Sequence, residues 1–380
     1  MINKVTNKLQ RVVHVPARGK RKGSVLISYI TDTFTLFPWE YKTDPHSNYW
    51  ESAEMARLFS VRGYDVDIIN AREHVFIPKK PYVACIDIQQ DLERLSKYLP
   101  ASCKKAVHID NPYYAEYNER EKARLTAINK RRGTSITPKR QVAPTQSVAI
   151  ADFLEGFGNE NVLKTFERFG KPMFPVPISV VQEFPFPENK DFAAARKHFL
   201  YFGGGGAILK GLDLAIEAFA GMPDLTLHIL GPAAHEPDFA EEYEKELALP
   251  NIIRYTRPKI DQEGRITVGG RDISEVFNAC GAIIYPSSAE GTSGAVIQSC
   301  HGGLVPIVTP QTGLNENLGA IVMENPTVES VRQAARGFSM MPEGEIKEKA
   351  RQVWNYVRSH HTKKAFSEAY GRFIDDILKL

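Results

Sequence analysis

A loop of small and polar residues around residue 290 contains the residue types that point most directly to chemistry. It follows the short apolar run 282–284, which predicts a buried strand, and it leads into a predicted helix. The first N–H groups of a helix have no partner inside the helix, so they make such a loop a site for anions. The residues at this end of the helix are Thr292, Ser293 and Gly294. The carboxylate of Glu290 would repel a phosphate, so we expect it to meet hydroxyl groups, and the pattern suits a sugar joined to a diphosphate.

A glycine-rich turn after the apolar run 199–202 offers a second place for an anion. Gly204 and Gly205 belong to a run of four glycines, which lets a ligand approach the backbone closely. Lys210 lies at the start of the following predicted helix, where it could meet a diphosphate. A tight turn between a strand and a helix would explain the glycines alone. Only their combination with Lys210 and the loop around Glu290 favours a donor site.

Both stretches resemble the donor site of retaining GT-B glycosyltransferases (family 4-like, group 1). That family has Pro-Ser, then Glu-Gly, a second Glu eight residues after the first, and Gly-x-Pro. The matching residues here are Pro286-Ser287, Glu290-Gly291 and a Gly-Leu-Val-Pro that ends at Pro306. The family's Lys-Gly-Leu-Asp begins at Lys210. Gln298 replaces the second Glu, and the family's phosphate-binding arginine, which would fall near Gly205, is missing, so the chain resembles a divergent branch among polysaccharide-assembly enzymes.

The resemblance implies an α/β protein of the GT-B fold, with two Rossmann-like domains whose parallel sheets face each other across a cleft. It also implies a metal-independent, hexosyltransferase-like enzyme that retains the anomeric configuration, with a UDP- or GDP-sugar as co-substrate and no cofactor. The family's first Glu faces the donor sugar and its second binds the ribose. Glu290 is therefore assigned to the sugar as a catalytic residue, and Gln298, which has no charge, to the ribose. Arg257 lies in the loop where the family often holds the nucleobase, and Arg257, Lys259 or backbone N–H groups could replace the missing arginine.

The acceptor side is expected at the carboxyl ends of the N-terminal strands, because ligands of a parallel sheet bind there. His108 and Asp110 lie at the end of one predicted strand, and Asn48 and Glu51 lie at the start of a predicted helix. The segment 38–48 is part of a long loop rich in aromatic and polar residues, which is unusual unless it is functional. His108 would help to position the acceptor or the sugar, although a hydrogen-bonded structural histidine is an equal alternative.

Strands that alternate with helices predict a parallel sheet in each half of the chain. The strands predicted in the N-terminal half are residues 24–30, 64–69, 83–88, 104–109 and 149–156. Five prolines within residues 171–187 predict a linker. The predicted units are a basic arm (1–22), an N-terminal acceptor domain (23–170), a linker (171–190), a C-terminal nucleotide-sugar domain (191–360) and a final helix (361–380). Phe366, Tyr370, Phe373 and Ile377 share one face of that helix, which the resemblance returns to the N-terminal domain.

Basic residues are concentrated in the N-terminal half, although the formal net charge is only +3. Residues 1–31 contain lysines and arginines but no acidic residue, and further clusters lie at 130–132 and 139–140. Such segments could contact anionic lipid or a lipid-phosphate-linked acceptor, and a solvated tail with a charged helix end is an equal alternative. Aromatic residues do not interleave with these charges, so nucleic acid is not expected as a partner.

Composition favours a cytoplasmic protein that could lie at the inner face of the membrane as a peripheral protein. No apolar run approaches the roughly 20 residues of a membrane span, and the N-terminus lacks the apolar core of a signal peptide. Four scattered cysteines are typical of buried reduced thiols. The sequence offers no convincing cluster of metal ligands.

The expected function is transfer of a sugar to a saccharide or lipid-linked saccharide acceptor in cell-surface polysaccharide synthesis. Three alternatives stay open. A sugar-nucleotide epimerase would use the same GT-B fold. A non-catalytic glycosyltransferase-like partner protein would explain the missing arginine and the missing second glutamate. A dinucleotide-binding oxidoreductase is disfavoured, because no acidic residue ends the predicted strand 225–230, where one would bind a ribose.

Overall fold

Two parallel sheets, one in each half of the chain, organise the protein. The structure, a computed structural model, describes residues 12–35, 45–261 and 263–379. Seven strands form the N-terminal sheet and six form the C-terminal sheet. The predicted α/β class with two Rossmann-like parallel sheets is confirmed.

The N-terminal sheet has the strand order β1-β3-β2-β4-β5-β6-β7, in which every pair is parallel except β1 with β3. Its strands are β1 (Val13–Val15), β2 (Gly23–Tyr29), β3 (Tyr64–Asn70), β4 (Ala84–Asp87), β5 (Lys104–Ile109), β6 (Phe153–Gly156) and β7 (Met173–Pro175). Separate apolar clusters cover its two faces. Burial on both faces explains why the central strands are almost continuously apolar.

In the part of the chain that the structure describes, six helices connect these strands. They are α1 (Asp32–Thr35), α2 (Ser47–Val61), α3 (Leu92–Leu95), α4 (Tyr114–Arg132), α5 (Ser147–Ile150) and α6 (Glu160–Leu163). The long helix α4 ends at Gly133, which adopts the left-handed conformation and donates its N–H to the Asn129 carbonyl. The sequence predicted this stop, since glycine takes that conformation at the lowest cost.

The C-terminal sheet has the order β10-β9-β8-β14-β15-β16, and all of its pairs are parallel. The strands after β7 are β8 (His198–Phe202), β9 (Thr226–Leu230), β10 (Ile252–Arg254), β11 (Lys259–Ile260), β12 (Ile266–Val268), β13 (Arg271–Asp272), β14 (Ala282–Tyr285), β15 (Val305–Val308) and β16 (Ile321–Val322). Strands β11, β12 and β13 form a small antiparallel sheet of their own.

Nine further helices complete the described chain. They are α7 (Phe192–Ala195), α8 (Leu212–Ala220), α9 (Pro237–Glu242), α10 (Glu244–Leu247), α11 (Ile273–Ala279), α12 (Gly294–His301), α13 (Val328–Met340), α14 (Glu343–His360) and α15 (Lys363–Lys379). Helix α15 lies against the N-terminal domain, where its aromatic face joins the apolar cluster beneath α2. Arg62, the residue just after α2, holds it there, with Nε 2.8 Å from Asp375 Oδ1.

Three local predictions differ from the structure. The predicted strand 149–156 begins with helix α5, because the Thr145 hydroxyl accepts the Ser147 N–H at 3.1 Å and so starts a turn. Strand β1 lies within the predicted basic arm and pairs with β3. Strand β7 lies at the start of the predicted linker and pairs with β6. As an edge strand it tolerates its proline.

Candidate active site

Glu290 and Lys210, which come from different strand–helix connections, form an ion pair. Glu290 lies between β14 and α12, and its Oε1 is 2.9 Å from Lys210 Nζ. The Tyr285 hydroxyl donates to the same carboxylate oxygen at 2.7 Å. Each side chain of the pair is only 12% exposed. The two residues that the sequence singled out for sugar and diphosphate are thus brought into direct contact.

The start of helix α12 keeps open N–H groups beside this pair. Ser293 donates its N–H to the Thr312 carbonyl at 3.2 Å, and the Thr292 hydroxyl donates to the Gly313 carbonyl at 3.1 Å. The N–H groups of Gly294 and its successor have no hydrogen-bond partner among the described residues. Thr292 and Ser293 therefore fix the loop, while Gly294 leaves a donor for an anion.

The glycine-rich turn already holds an anion, which is the protein's own carboxylate. Glu236, just before α9, accepts the N–H groups of Gly206 and Ala207, the latter at 3.3 Å to each carboxylate oxygen. A Cβ on Gly205 would lie 3.5 Å from Glu236 Oε1, and one on Gly204 would lie 4.0 Å from Lys210 Nζ. The N–H groups at the end of this turn therefore bind the carboxylate of Glu236, and the predicted role of Gly204 and Gly205 in donor binding stays a prediction.

Arg140, from the N-terminal domain, packs on the same turn. A Cβ on Gly206 would lie 2.7 Å from Arg140 Cγ, so no side chain fits there. Arg140 Nε lies 3.3 Å from the hydroxyl oxygen of Tyr117. Sequence analysis placed Arg140 only within a basic cluster, because no spacing along the chain links it to a turn 66 residues away. The sequence contained one indirect sign. It lacks the family's arginine near Gly205, and Arg140 is a cation that lies outside the predicted helices.

The two domains meet at the loop that carries Glu290. A Cβ on Gly291 would overlap the carbonyl oxygen of Asp110, so this position has room only for glycine. Tyr117 of α4 packs with Leu209 and Ala289 of the C-terminal domain in a small apolar cluster. Asp110, predicted on the acceptor side, is therefore next to the predicted donor loop. Burial raises the pKa of its carboxyl, although His108 and Asn111 oppose the shift.

His108 lies in a buried polar group at the carboxyl ends of β5 and β6. It is 2% exposed, and its Nδ1 donates to Glu155 Oε1 at 2.8 Å. Its Nε2 has no hydrogen-bond partner among the described residues, and neither does Glu155 Oε2. Burial lowers the pKa of His108, but the charge and hydrogen bond of Glu155, with Asp110 and Glu51, raise it above its ordinary value on balance.

The other residues that were predicted on the acceptor side are Glu51 and Asn48. Glu51 is fully buried, and its Oε1 accepts the backbone N–H and the hydroxyl of Ser179, each at 2.8 Å. Burial raises the pKa of this carboxyl. Asn48 is half-buried at the start of α2, with Oδ1 3.2 Å from His46 Nδ1. Most of the predicted functional loop 38–48 lies outside the described residues.

Gln298 and Arg257, both predicted to bind the donor, have different surroundings. Gln298 is buried, its Nε2 donates to the Gln182 carbonyl at 2.6 Å, and its Oε1 accepts the Gln182 N–H at 3.1 Å. Both ends of the amide thus hold the linker. Arg257 is exposed in the loop after β10. An open depression of about 470 Å³ lies beside this loop, lined by His235, Arg254, Tyr255 and Thr256 among others.

Residues 12–35, 45–261 and 263–379 contain neither a group of metal ligands nor a helix that could span a membrane. No three His, Cys, Asp or Glu side chains are grouped there so that they could hold a metal ion. Within the same ranges, no helix has the length and apolar character needed to cross a membrane.

No protein-family model and no curated protein matches the sequence. Solved structures, in contrast, share this arrangement of two domains. Sucrose-phosphate synthase (tll1590) from Thermosynechococcus elongatus aligns with a TM-score of 0.62 at 11% identity, covering 94% of this chain and 100% of that one. WaaG, a glycosyltransferase involved in lipopolysaccharide biosynthesis, aligns with a TM-score of 0.56 at 14% identity, over 93% and 99% of the two chains.

A mutant of TarM from S. aureus, solved with fondaparinux, alpha-GlcNAc-glycerol and UDP, aligns with a TM-score of 0.52 at 11% identity, over 76% of this chain. This chain spans about half (54%) of TarM. These neighbours are GT-B glycosyltransferases, and at 11–14% identity the similarity shows a shared fold alone. The chain has the GT-B fold, as the sequence predicted.

Proposed function

We propose that the protein is a glycosyltransferase that moves a sugar from a nucleotide-sugar donor to a saccharide or lipid-linked saccharide acceptor, with retention of configuration. The observation that carries the proposal is the contact of Lys210 with Glu290 at the junction of the two domains. A cation for the diphosphate and a carboxylate for the sugar hydroxyls lie side by side, as a sugar diphosphate requires.

The donor would bind by exchanging partners within the site. Its diphosphate would take Lys210 from Glu290 and accept the open N–H groups at the start of α12, starting with Gly294. These donors would stabilise the charge that develops on the leaving nucleotide, which is commonly the largest catalytic contribution. Glu290 would then be free to orient the donor sugar. Gln298 would reach the ribose by giving up a hydrogen bond to Gln182, and Arg257 would lie near the base.

The acceptor would approach from the N-terminal domain. His108 Nε2, which is buried and has no hydrogen-bond partner among the described residues, would hydrogen-bond an acceptor hydroxyl group, and Asp110 and Asn48 would contact the same acceptor. With retention, the acceptor would attack the sugar on the face that the nucleotide leaves. The reaction would use a UDP- or GDP-hexose and need no metal ion. TarM, whose structure contains UDP, supports a uridine nucleotide by analogy of fold.

Cell-surface polysaccharide synthesis at the inner face of the membrane is the setting we propose. WaaG, a neighbour in fold, is described as an enzyme of lipopolysaccharide biosynthesis. Peripheral contact with anionic lipid would use the exposed residues Arg18, Lys20 and Lys22. The second basic cluster is a weaker candidate for that contact, because Arg131 and Arg132 are paired with carboxylates of the C-terminal domain.

Ligand-dependent thermal stability tests the donor class. The purified protein is heated with UDP, GDP, CMP, ADP, TDP and NAD in turn, with and without a divalent metal ion. A ligand that binds only the folded state raises its stability. We expect one nucleoside diphosphate to stabilise the protein, Lys210→Ala to remove the shift, and Lys245→Ala, at an exposed site, to leave it unchanged. A shift with NAD alone would favour the oxidoreductase.

Transfer activity tests the role of Glu290. Glu290→Gln keeps an acceptor for the Tyr285 hydroxyl but removes the charge, so we expect a folded protein whose transfer rate falls by about a hundredfold or more. A folded and fully active variant would remove Glu290 from the site. Analysis of the products separates transfer from epimerisation or hydrolysis of the donor.

A non-catalytic partner protein is the second candidate. The observation that favours it is the carboxylate of Glu236 on the glycine-rich turn. Stabilisation by none of the nucleotides would place this candidate first.

A further inference from the structure

Two cations from two different domains flank the glycine-rich turn. Arg140 of the N-terminal domain packs on Gly206, where a Cβ would lie 2.7 Å from Cγ and 3.1 Å from Cδ of the arginine. Lys210 of the C-terminal domain approaches the other end of the turn, with Nζ 4.0 Å from a Cβ built on Gly204. Glu290 lies beside both, in contact with Lys210 and near enough to Arg140 to stabilise its charge.

The backbone of Arg140 is held firmly in this position. The N–H groups of Lys139 and Arg140 both donate to Glu121 Oε1, at 2.9 and 2.8 Å. Gln141 Nε2 donates to the other oxygen of the same buried carboxylate at 2.7 Å. One residue further on, Val142 and the side chain of Asn118 exchange two hydrogen bonds. A single buried carboxylate on α4 therefore fixes the segment that carries the arginine.

The guanidinium of Arg140 has donors to spare. Nε meets the Tyr117 hydroxyl oxygen at 3.3 Å, and the two terminal nitrogens have no hydrogen-bond partner among the described residues. The side chain is also exposed to solvent. Its neighbours in sequence differ, since Arg131, Arg132 and Lys139 all form ion pairs with carboxylates of the C-terminal domain. Arg140 thus has a fixed backbone and an accessible guanidinium with unused donors, and its side chain packs on the glycine-rich turn.

We propose that Arg140 binds the diphosphate of the nucleotide-sugar donor opposite Lys210, so that the phosphates bridge the two domains. This inference rests on the proposed function. A guanidinium offers paired N–H donors in a rigid fork that fits two phosphate oxygens, whereas the Lys210 ammonium acts as a point charge. The diphosphate would replace Glu290 as the anionic partner of Lys210 and would be the first strong acceptor for the terminal nitrogens of Arg140.

Ligands with two, one or no phosphate groups distinguish the contribution of phosphate contacts to binding from that of all other contacts. Dissociation constants are measured for UDP, UMP and uridine, and in parallel for GDP, GMP and guanosine, and the series with the tighter diphosphate is used. The proteins are wild type, Arg140→Ala, Arg140→Lys and the control Lys139→Ala. We expect Arg140→Ala to weaken binding of the diphosphate by about tenfold or more, because a charge-assisted hydrogen bond is lost. The affinity for the nucleoside should change by less than about twofold. Arg140→Lys should recover part of the loss, and Lys139→Ala should match wild type.

Each other outcome has a definite meaning. Wild type that binds none of the six ligands would remove the proposed function itself. Diphosphate binding that is unchanged by Arg140→Ala would overturn the inference and leave the proposed function standing. If Arg140→Ala weakened binding of the diphosphate and of the nucleoside equally, the effect would arise from the domain junction. The same would follow if Lys139→Ala weakened diphosphate binding as much as Arg140→Ala does. Unliganded melting temperatures and far-ultraviolet circular dichroism check that the variants fold.

Discussion

At the scale of single residues, Glu236 is a side chain that would oppose binding of the proposed donor. Its carboxylate accepts the N–H groups of Gly206 and Ala207, which a phosphate would otherwise use. A diphosphate and a carboxylate repel each other, so the donor must displace Glu236 or bind with reduced affinity.

Glu236→Gln is expected to tighten binding of the nucleoside diphosphate by about tenfold, because it removes one unit of negative charge beside the phosphates. Isothermal titration calorimetry with UDP and GDP measures the change. Glu241→Gln, which removes the same charge from an exposed position on α9, serves as the control and should change affinity little. Weaker binding in Glu236→Gln would show that Glu236 shapes the turn for the donor.

His108 is the residue whose charge state depends most clearly on its neighbours. Its imidazole is buried between the rings of Tyr29 and Phe157, with centroids 5.3 and 5.0 Å away, and it is bonded to Glu155. Its pKa in the folded protein is raised above the ordinary value, since Glu155, Asp110 and Glu51 outweigh the burial. The folded state therefore binds the proton more tightly than the unfolded chain does.

The pH dependence of stability tests this electrostatic account. The contribution of protonated His108 should be fully present below the unfolded pKa of about 6.5 and should be lost as the pH rises through the raised folded pKa. We expect the free energy of unfolding of wild type, relative to His108→Gln, to fall across this range in urea titrations. His360→Gln, at an exposed histidine on α14, should keep the wild-type slope. Identical slopes in wild type and His108→Gln would contradict the pairing with Glu155.

At the scale of elements, helix α4 joins the two domains through buried charge. Arg124 Nη2 donates to both oxygens of Asp213 at 2.7 and 2.8 Å, and Arg131 reaches the same carboxylate at 2.9 Å. Asp213 is fully buried in the first turn of α8. The aspartate that ends the Lys-Gly-Leu-Asp motif thus holds α4, and with it Tyr117 and the segment that carries Arg140.

Asp213→Asn should lower the free energy of unfolding by about 3–5 kcal/mol, because Arg124 would be left buried without its anion. Chemical denaturation followed by circular dichroism measures the loss. Asp224→Asn breaks an exposed pair with Arg336 and should have little effect. A loss no larger than that of the control would mean that α4 is held mainly by its apolar contacts.

At the scale of the whole molecule, the domains touch where the two halves of the candidate site meet. Gly291 adjoins the Asp110 carbonyl, the apolar cluster of Tyr117 lies beside it, and helix α15 closes the chain back onto the N-terminal domain. Because Arg140 and Lys210 belong to different domains, the geometry of the site depends on this junction.

Gly291→Ala should push the junction apart, since the new methyl group would overlap the Asp110 carbonyl oxygen. We expect transfer to fall by about a hundredfold, because a displacement of about 1 Å is enough for such a loss. A transfer assay measures the loss, and the melting temperature of the unliganded variant checks that it folds. Gly337→Ala, on α13 where a Cβ meets nothing within 4 Å, is the matched control and should behave as wild type. Normal activity in Gly291→Ala would place the reaction away from this contact.

Features that depend on residues close together in the chain could be predicted from the sequence. The strand Lys104–Ile109 and the helix stop at Gly133 follow from local apolar pattern and backbone preference. The loop around Glu290 and the start of α8 near Lys210 were also readable, since each is a short strand–helix connection. The strand predicted at 149–156 was partly wrong, because the hydroxyl of Thr145 starts a helix before the strand.

Which charged and polar residues meet could not be predicted from the sequence and is seen in the folded chain. Arg140 packs on Gly206, and Glu236 accepts the N–H group of the same glycine. Glu155 pairs with His108, and Gln182 is hydrogen-bonded to Gln298. The partners in these contacts are separated by 30 to 116 residues along the chain. Local patterns carry no information on such pairs, because their distance depends on how the sheets stack and how the domains dock. The basic residues were visible in the sequence, whereas the fold decided that Arg140 packs on the glycine-rich turn of the candidate site.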